Sequence, residues 1–245
     1  MLTRLAQPGT FMRLSGRLLP VLALAAACFA AWGLWLAWFA SPADYQQGET
    51  VRIMYIHVPA AWMSLFFYAV MAASALGTLV WRHPLADVSQ RAAAPVGAAL
   101  TFCCLLTGSL WGRPMWGTYW VWDARLTSVL VLFLMYVGIL ALWRAIEDPN
   151  RAARAVAILT LVGAVNIPIV KYSVDWWSTL HQGASVLRFG GPTIDPAMLR
   201  PLLVMAVAFT LTGLCLHVAG MRTEILRRRV RALTIVRAER LGGFA

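Results

Sequence analysis

Six long runs without a charged side chain constrain this chain more than any other feature. The runs free of Lys, Arg, Asp and Glu cover residues 18–40, 53–81, 92–112, 126–143, 155–170 and 201–221. A helix needs about 20 apolar residues to cross the hydrocarbon core of a bilayer, and most of the runs reach that length. The fifth run is short, but it gains length if Lys171 extends its ammonium group to the interface and the helix continues to Val174. We therefore predict an all-α, polytopic membrane protein with six transmembrane helices.

The composition supports one integral membrane domain over residues 1–245. Hydrophobic residues make up 60% of the chain and charged residues 13%, which is far from the average of a soluble domain. The net charge of +11 is compatible with nucleic-acid binding, but the positive side chains flank the apolar runs, so we predict contact with membrane lipid and not with nucleic acid. Pro59 suits the first turn of a helix, which moves the expected start of the second span to Val58. The predicted spans are about 18–40, 58–81, 92–112, 126–143, 155–174 and 201–221.

The distribution of positive charge predicts the orientation. Six spans place both termini on one side, and fifteen of the 21 Lys and Arg residues lie on that side, including Arg4. Positive residues are enriched in cytoplasmic segments, so both termini are expected in the cytoplasm. The basic tail 222–245 is then a cytoplasmic segment that contacts anionic lipid or a cytoplasmic partner, or that acts only as a topology signal. The loops 113–125 and 171–200 face outward.

The outer loop 113–125 is rich in tryptophan. If the segment is extended, Trp116, Trp120 and Trp122 share one face. If it is helical, Trp116 and Trp120 form a stripe with Asp123. Either geometry gives an aromatic platform that suits a large planar ligand. The alternative is an aromatic belt that anchors the spans at the headgroups.

Asp123 and Arg125 have two interpretations each. Asp123 precedes the fourth span, where it caps the helix or pairs with Arg125. Arg125 is unfavourable at a helix N-terminus unless something negative approaches from outside, so it forms a local ion pair or binds a ligand carboxylate.

Two of the four histidines are expected outside. His57 lies at the outer mouth of the second span, and His181 lies in the loop 171–200. With Asp175 as a helix cap, Trp177 and His181 would share one helical face. An outward histidine is either an interfacial polar residue or a metal ligand.

The tryptophans are unevenly distributed, which weakens the belt interpretation. A belt populates both interfaces, but near the inner ends of the spans only Trp81 and Trp143 are found. The outer set is Trp111, Trp116, Trp120, Trp122, Trp176 and Trp177.

Haem satisfies the requirements of this outer set. His57 and His181 would be axial ligands, and the tryptophans would cover the macrocycle. The propionates would pair with arginines, for which the candidates are Arg52, Arg113 and Arg125. Zinc is a weaker fit, because two histidines leave its coordination incomplete. All four cysteines lie inside spans, without a C-x-x-C-H motif, so covalent attachment is not expected and the haem would be b-type.

Three sequence blocks resemble a known family. Residues 57–62 are HVPAAW, residues 116–127 are WGTYWVWDARLT, and residues 175–182 are DWWSTLHQ. In this order, and with six spans, they resemble CcmC, the haem exporter C family of bacterial cytochrome c maturation. The resemblance covers roughly residues 50 to 215. Position 119 is Tyr where some relatives have Trp, and we treat it as a variable position.

The resemblance implies a non-enzymatic, haem-handling protein of the bacterial inner membrane. Its tryptophan-rich motif would hold haem at the periplasmic side, with His57 and His181 as ligands, and would deliver it to a periplasmic haem chaperone. The ABC transporter proteins A and B of the same system, and its small membrane protein D, would be the other partners. The implied haem-binding set is His57, His181, Trp116, Gly117, Trp120, Trp122, Asp123, Arg125 and Arg52.

Two other functions are open at this stage. A transmembrane haem transporter subunit would need polar residues along a path, but the spans carry no Lys, Arg, Asp or Glu. The chain also lacks a phosphate-binding loop, since Lys171 follows Val170 and not glycine. An enzyme such as a haem lyase or quinone-linked oxidoreductase is disfavoured by the absence of an outer thiol or a second histidine pair within the spans.

Overall fold

The computed structural model describes residues 7–242 and is all-α, as predicted. Arg4 and the ends 1–6 and 243–245 lie outside the described residues. A π-helical turn at Leu36–Ala40 and a 3₁₀ turn at Glu49–Ile53 frame the first connection. The helices are α1 (Pro8–Trp35), α2 (Met54–Leu79), α3 (Ala86–Trp116), α4 (Ala124–Ala145), α5 (Pro149–Gly163), α6 (Asn166–Trp176) and α7 (Pro196–Gly242).

Within residues 7–242, six helical segments are long and apolar enough to cross a membrane, which confirms the predicted number. At most of their ends they extend beyond the charge-free runs, because charged side chains at the ends of a span reach the interface. As a result, α3 continues to Trp116 and α7 begins at Pro196. The connections are correspondingly shorter than the loops expected from charge: residues 117–123 and 177–195. Helix α2 ends at Leu79 and begins at Met54, so Pro59 lies inside the helix and does not mark the start expected at Val58.

The fifth span consists of two helices. Pro168 has no N–H to donate to the carbonyl of Ala164, so an α-helical hydrogen bond is missing there. Instead Ile167 N donates to Ala164 O at 3.0 Å, a tighter turn. The buried Asn166 side chain donates to Ser128 O at 2.9 Å and joins the break to α4. Together α5 and α6 span 28 residues, which gives this segment the length that its charge-free run lacks.

The core lies between α2, α3, α4 and α5. Tyr136 of α4 is fully buried, and its hydroxyl donates to Ser64 O at 2.8 Å. The Tyr136 ring lies directly against Gly97 of α3, where a side chain would overlap it. Helix α1 packs mainly on α7 and leaves most of its apolar surface exposed, as a lipid-facing helix does.

An ionic cluster closes one end of the bundle. The buried Glu224 of α7 pairs with Arg227 and Arg228 of the same helix and with Arg91 of α3 at 3.4 Å. Arg228 also pairs with Asp87 at 2.7 Å. Since α3 begins here and ends at Trp116, the tryptophan-rich segment lies at the opposite end. We call that opposite end, formed by the start of α2, the end of α3 and residues 117–123 and 177–195, the tryptophan end.

Candidate functional site

His57 lies in the first turns of α2 and faces α3. Its Nδ1 is 3.1 Å from the carbonyl oxygen of Cys104 and 3.1 Å from Thr107 Oγ1. A carbonyl only accepts, so Nδ1 carries the proton and donates. In the neutral ring, Nε2 then holds the free lone pair. That atom is therefore available to bind a metal.

His181 lies in the irregular segment 177–195. Its Nδ1–H donates to the carbonyl of Gln182 at 3.0 Å, which again leaves Nε2 available. The ring centroid lies 6.4 Å from that of Trp116. His57 and His181 are close enough to interact electrostatically. The fold therefore brings both predicted ligands to one end of the bundle, and each presents the same ring nitrogen.

Burial lowers the pKa of His181. The positive charge of Arg125 lowers it further, whereas the Gln182 carbonyl and Asp123 act in the opposite direction. A depressed pKa means that the ring is neutral at pH 7 and that protonation competes with metal binding only in more acidic solution.

The lowered pKa of His181 can be tested by titrating its ring. In the full chain with ¹³C-labelled histidine, the ring signal of His181, assigned by its loss in His181→Ala, is expected to titrate below about pH 6.5. Arg125→Gln removes a positive charge, so the pKa and the midpoint rise. A midpoint at or above the ordinary histidine value in the unaltered chain would contradict the burial of this ring.

The tryptophan-rich segment adopts neither of the two regular geometries considered. Trp116 is the last residue of α3, and Gly117 ends that helix with a φ of 77°. Only glycine takes this left-handed conformation without strain, and it turns the chain into the irregular segment 118–123. Trp120 and Trp122 contact each other edge to face with centroids 5.5 Å apart. Trp122 is 75% exposed, and the indole Nε1 of Trp120 is buried without a hydrogen-bond partner among the described residues.

Asp123 caps α4, as one of its two interpretations predicted. Its Oδ1 accepts from Leu126 N at 2.8 Å. The other oxygen, Oδ2, is buried and has no hydrogen-bond partner within residues 7–242. Trp120 Nε1 and Asp123 Oδ2 are thus an unused donor and an unused acceptor at the tryptophan end. Buried polar atoms are usually hydrogen-bonded, so both atoms are available to a water or a ligand.

The three candidate arginines already have protein partners. Arg125 donates to Ser173 Oγ at 2.6 Å and to Lys171 O at 3.4 Å, so it joins α4 to α6. In the described part of the chain, no ion pair forms between Arg125 and Asp123. The side chains of the other two arginines are held locally.

Arg52, whose side chain is 18% exposed, pairs with Glu49 and donates to the carbonyl of Ala37. Arg113 donates to the carbonyl of Gly117 and lies over the Tyr119 ring at 5.7 Å. Arg125 lies near two carboxylates, those of Asp123 and Asp175. It is also close enough to His181 to act on that ring electrostatically.

The donor set fits an iron porphyrin. No group of three or more His, Cys, Asp or Glu side chains is placed to hold a metal ion in the described ranges. A porphyrin supplies four nitrogen ligands itself, and the neutral imidazoles of His57 and His181 would supply the remaining ones. The surrounding indoles provide the stacking area that the flat macrocycle requires.

Several residues that hold the site were not found from the sequence. No catalytic residue was predicted in the third span, and Thr107 and Gly108, which lie against His57, were missed. Trp111, which also contacts His57, belongs to the predicted outer tryptophan set. Thr107 and Gly108 lie four and three residues before Trp111, so the three residues share one face of α3. The helix that Asp175 was expected to cap does not form: Asp175 lies in the last turn of α6 and Trp177 ends it.

The comparisons with known proteins agree on one family. A profile of the family described as heme exporter protein C matches residues 1–236. The chain is 65% identical to heme exporter protein C of Bradyrhizobium diazoefficiens over 97% of its own length and 90% of the relative. It is 49% identical to heme exporter protein C of Escherichia coli K12, over 92% of its own length and 91% of the relative. It is 46% identical to heme exporter protein C of Paracoccus denitrificans, over 93% and 95%.

Proposed function

Because this chain belongs to the heme exporter protein C family, we propose that it binds haem non-covalently and delivers it to a periplasmic haem chaperone during c-type cytochrome biogenesis. The bound haem is b-type and is cargo, so the protein is a carrier and not an enzyme. The protein is a multi-pass protein of the bacterial inner membrane.

The observation that carries this proposal is the matched presentation of two imidazoles. His57 and His181 each donate Nδ1–H to a carbonyl oxygen and leave Nε2 free. A hydrogen bond at the second nitrogen is the usual feature of a metal-binding histidine, because it fixes the tautomer and raises ligand basicity. Two such rings at one end of the bundle, among indoles, support axial ligation of a single iron.

The charge distribution supports a periplasmic position for this site. Arginine side chains are concentrated around the ionic cluster and along α7 beyond it, at the end opposite to His57. Positively charged ends remain in the cytoplasm. The tryptophan end then faces the periplasm, where a chaperone has access to it.

The exposed aromatic side chains suggest how the chaperone is received. Trp122, Trp176 and Trp177 are at least half exposed at the tryptophan end. Tryptophan is enriched at the centres of protein interfaces, since it buries a large rigid surface. The loops would hold haem between the imidazoles and leave one vinyl edge open to the chaperone. The ABC transporter proteins A and B and the small membrane protein D complete the proposed complex.

A spectrum of the affinity-purified complex tests the binding function. We expect a Soret band with the six-coordinate, low-spin features of two imidazole ligands. A complex without a Soret band after expression with sufficient haem would refute the proposal.

Replacing Trp120 and Trp122 with alanine tests delivery. We expect chaperone complex formation to fall by at least about tenfold, because the loss of even one tryptophan from the centre of an interface costs on the order of 2 kcal/mol. Membrane insertion should change little, since 118–123 lies outside the helices. Cross-linking to the chaperone and quantitative blotting of membranes measure the two effects. The control is Trp81→Ala, an exposed tryptophan just beyond the other end of α2. Equal chaperone complex formation in the double variant and the control would contradict the platform role.

A further inference from the structure

We infer that Thr107 and Gly108 of α3 are positioning residues that hold His57 in one orientation and one tautomer. The inference rests on the proposed haem binding and adds the residues that prepare its first ligand. Among the described residues, the Thr107 side chain makes no hydrogen bond to the loop segments 117–123 and 177–195. Both residues act through His57.

The hydrogen bonds of Thr107 have a defined direction. The Thr107 hydroxyl donates its only proton to the carbonyl of Cys103 at 2.7 Å. Its oxygen is therefore an acceptor toward His57 Nδ1, 3.1 Å away. The Cys104 carbonyl, also 3.1 Å from Nδ1, accepts as well. Two acceptors at one nitrogen favour the Nδ1–H tautomer strongly, because the other tautomer would face both with a lone pair.

Gly108 leaves the space that the His57 ring occupies. A Cβ at position 108 would lie 2.8 Å from Cε1 and 3.4 Å from Nδ1 of His57. Carbon atoms in contact are normally about 3.5–4.0 Å apart. The imidazole therefore lies directly on the α3 backbone, and any side chain at position 108 displaces it from its two acceptors.

Trp111 packs against the His57 ring from a further position on α3. The ring of Trp111 meets that of His57 edge to face, with centroids 5.7 Å apart. Trp111 itself is held, because its Nε1 donates to Gln47 Oε1 at 2.8 Å. Residues 104, 107, 108 and 111 follow the i, i+3, i+4, i+7 spacing of one helical face. Four residues on one face of α3 thus contact a single imidazole.

Substitutions of Thr107 and Gly108 in the full chain, purified with its partner subunits, test this role. Thr107→Val replaces the hydroxyl with a methyl group of similar shape, and we expect the haem affinity to fall by about tenfold, as for other residues that support metal ligands. The reduction potential of the bound haem should rise, since a less basic imidazole stabilises the ferric state less. Thr107→Ser keeps the hydroxyl and should retain both properties. Gly108→Ala should lower affinity more than Thr107→Val.

Two matched controls separate positioning from general damage to a helix. Thr78→Val removes a partly buried hydroxyl that donates to its i−4 carbonyl at 3.0 Å, as Thr107 does, but far from His57. Gly138→Ala adds a methyl group where no atom lies within 4 Å. Both controls should leave haem affinity and reduction potential unchanged.

The outcomes distinguish this inference from the function on which it rests. If His57→Ala binds haem with unchanged affinity, the proposed ligand and therefore the proposed site are wrong. If His57→Ala loses haem but Thr107→Val keeps the affinity and reduction potential of the unaltered protein, only the positioning role is overturned. Should Gly108→Ala fail to accumulate in membranes, the Thr107→Val and Thr107→Ser pair decides.

Discussion

Replacing both His57 and His181 with alanine should remove the Soret band of the purified complex and reduce the yield of c-type cytochromes to background. The double variant lacks both imidazoles, and the other two histidines, His83 and His217, lie beside the start of α3 at the opposite end of the bundle. Haem content per polypeptide, measured by the pyridine haemochrome spectrum, and haem-stained cytochromes in the same cells are the two readouts.

The single variants should rank in a definite order. His57 is fixed on α3 by two acceptors, whereas His181 is held only by the neighbouring Gln182 carbonyl. We therefore expect His181→Ala to retain part of the haem in a five-coordinate form and His57→Ala to retain less. His83→Ala, an exposed histidine near the end of α2 remote from the site, is the matched control. Unchanged haem content and cytochrome yield in the double variant would refute the proposed function.

Gly97→Ala should have the largest effect on stability. A methyl group at this position overlaps the ring of Tyr136, which is fully buried and donates to Ser64 O. Because the ring is fully buried, the helices α3 and α4 must separate or the hydrogen bond must break. Overpacking of this kind costs about 1–3 kcal/mol, and the loss of the buried hydrogen bond adds to it. The thermal denaturation temperature in detergent and the amount of chain in membranes should both fall.

Gly138→Ala is the control for this effect. The same methyl group on α4 meets no atom within 4 Å, so it should leave the denaturation temperature within error of the unaltered chain. Equal stabilities of the two variants would contradict the close packing of α3 on α4.

The sequence predicts the helices well, for a physical reason. In a bilayer the backbone must satisfy its own hydrogen bonds, so a long charge-free run has helix as its available structure. The N-cap at Asp123 also follows from local chemistry, because a carboxylate before an apolar run accepts a free N–H of the first turn. His57 lies near the start of the second span and His181 follows the fifth, so the order of the spans predicts that both lie on the same side.

Features that depend on neighbouring helices could not be predicted in the same way. The role of Thr107 and Gly108 requires the packing of α2 on α3, which no local pattern specifies. The break at Ala164 and Val165 depends on Pro168 together with the contact of Asn166 to α4. The expected helix through Trp177 and His181 was wrong, because α6 starts at Asn166 and ends at Trp176.

If the chain carries haem as proposed, the unequal support of the two histidines would set the order in which they release it. A ring held on a helix face returns to the same point after each thermal excursion, whereas a ring on an irregular segment moves with its backbone. In the proposed transfer, His181 would release the haem first, and a ligand from the chaperone would take its place while His57 stays bound. The haem would then pass between the two proteins without entering the solution, where it would aggregate or partition into lipid.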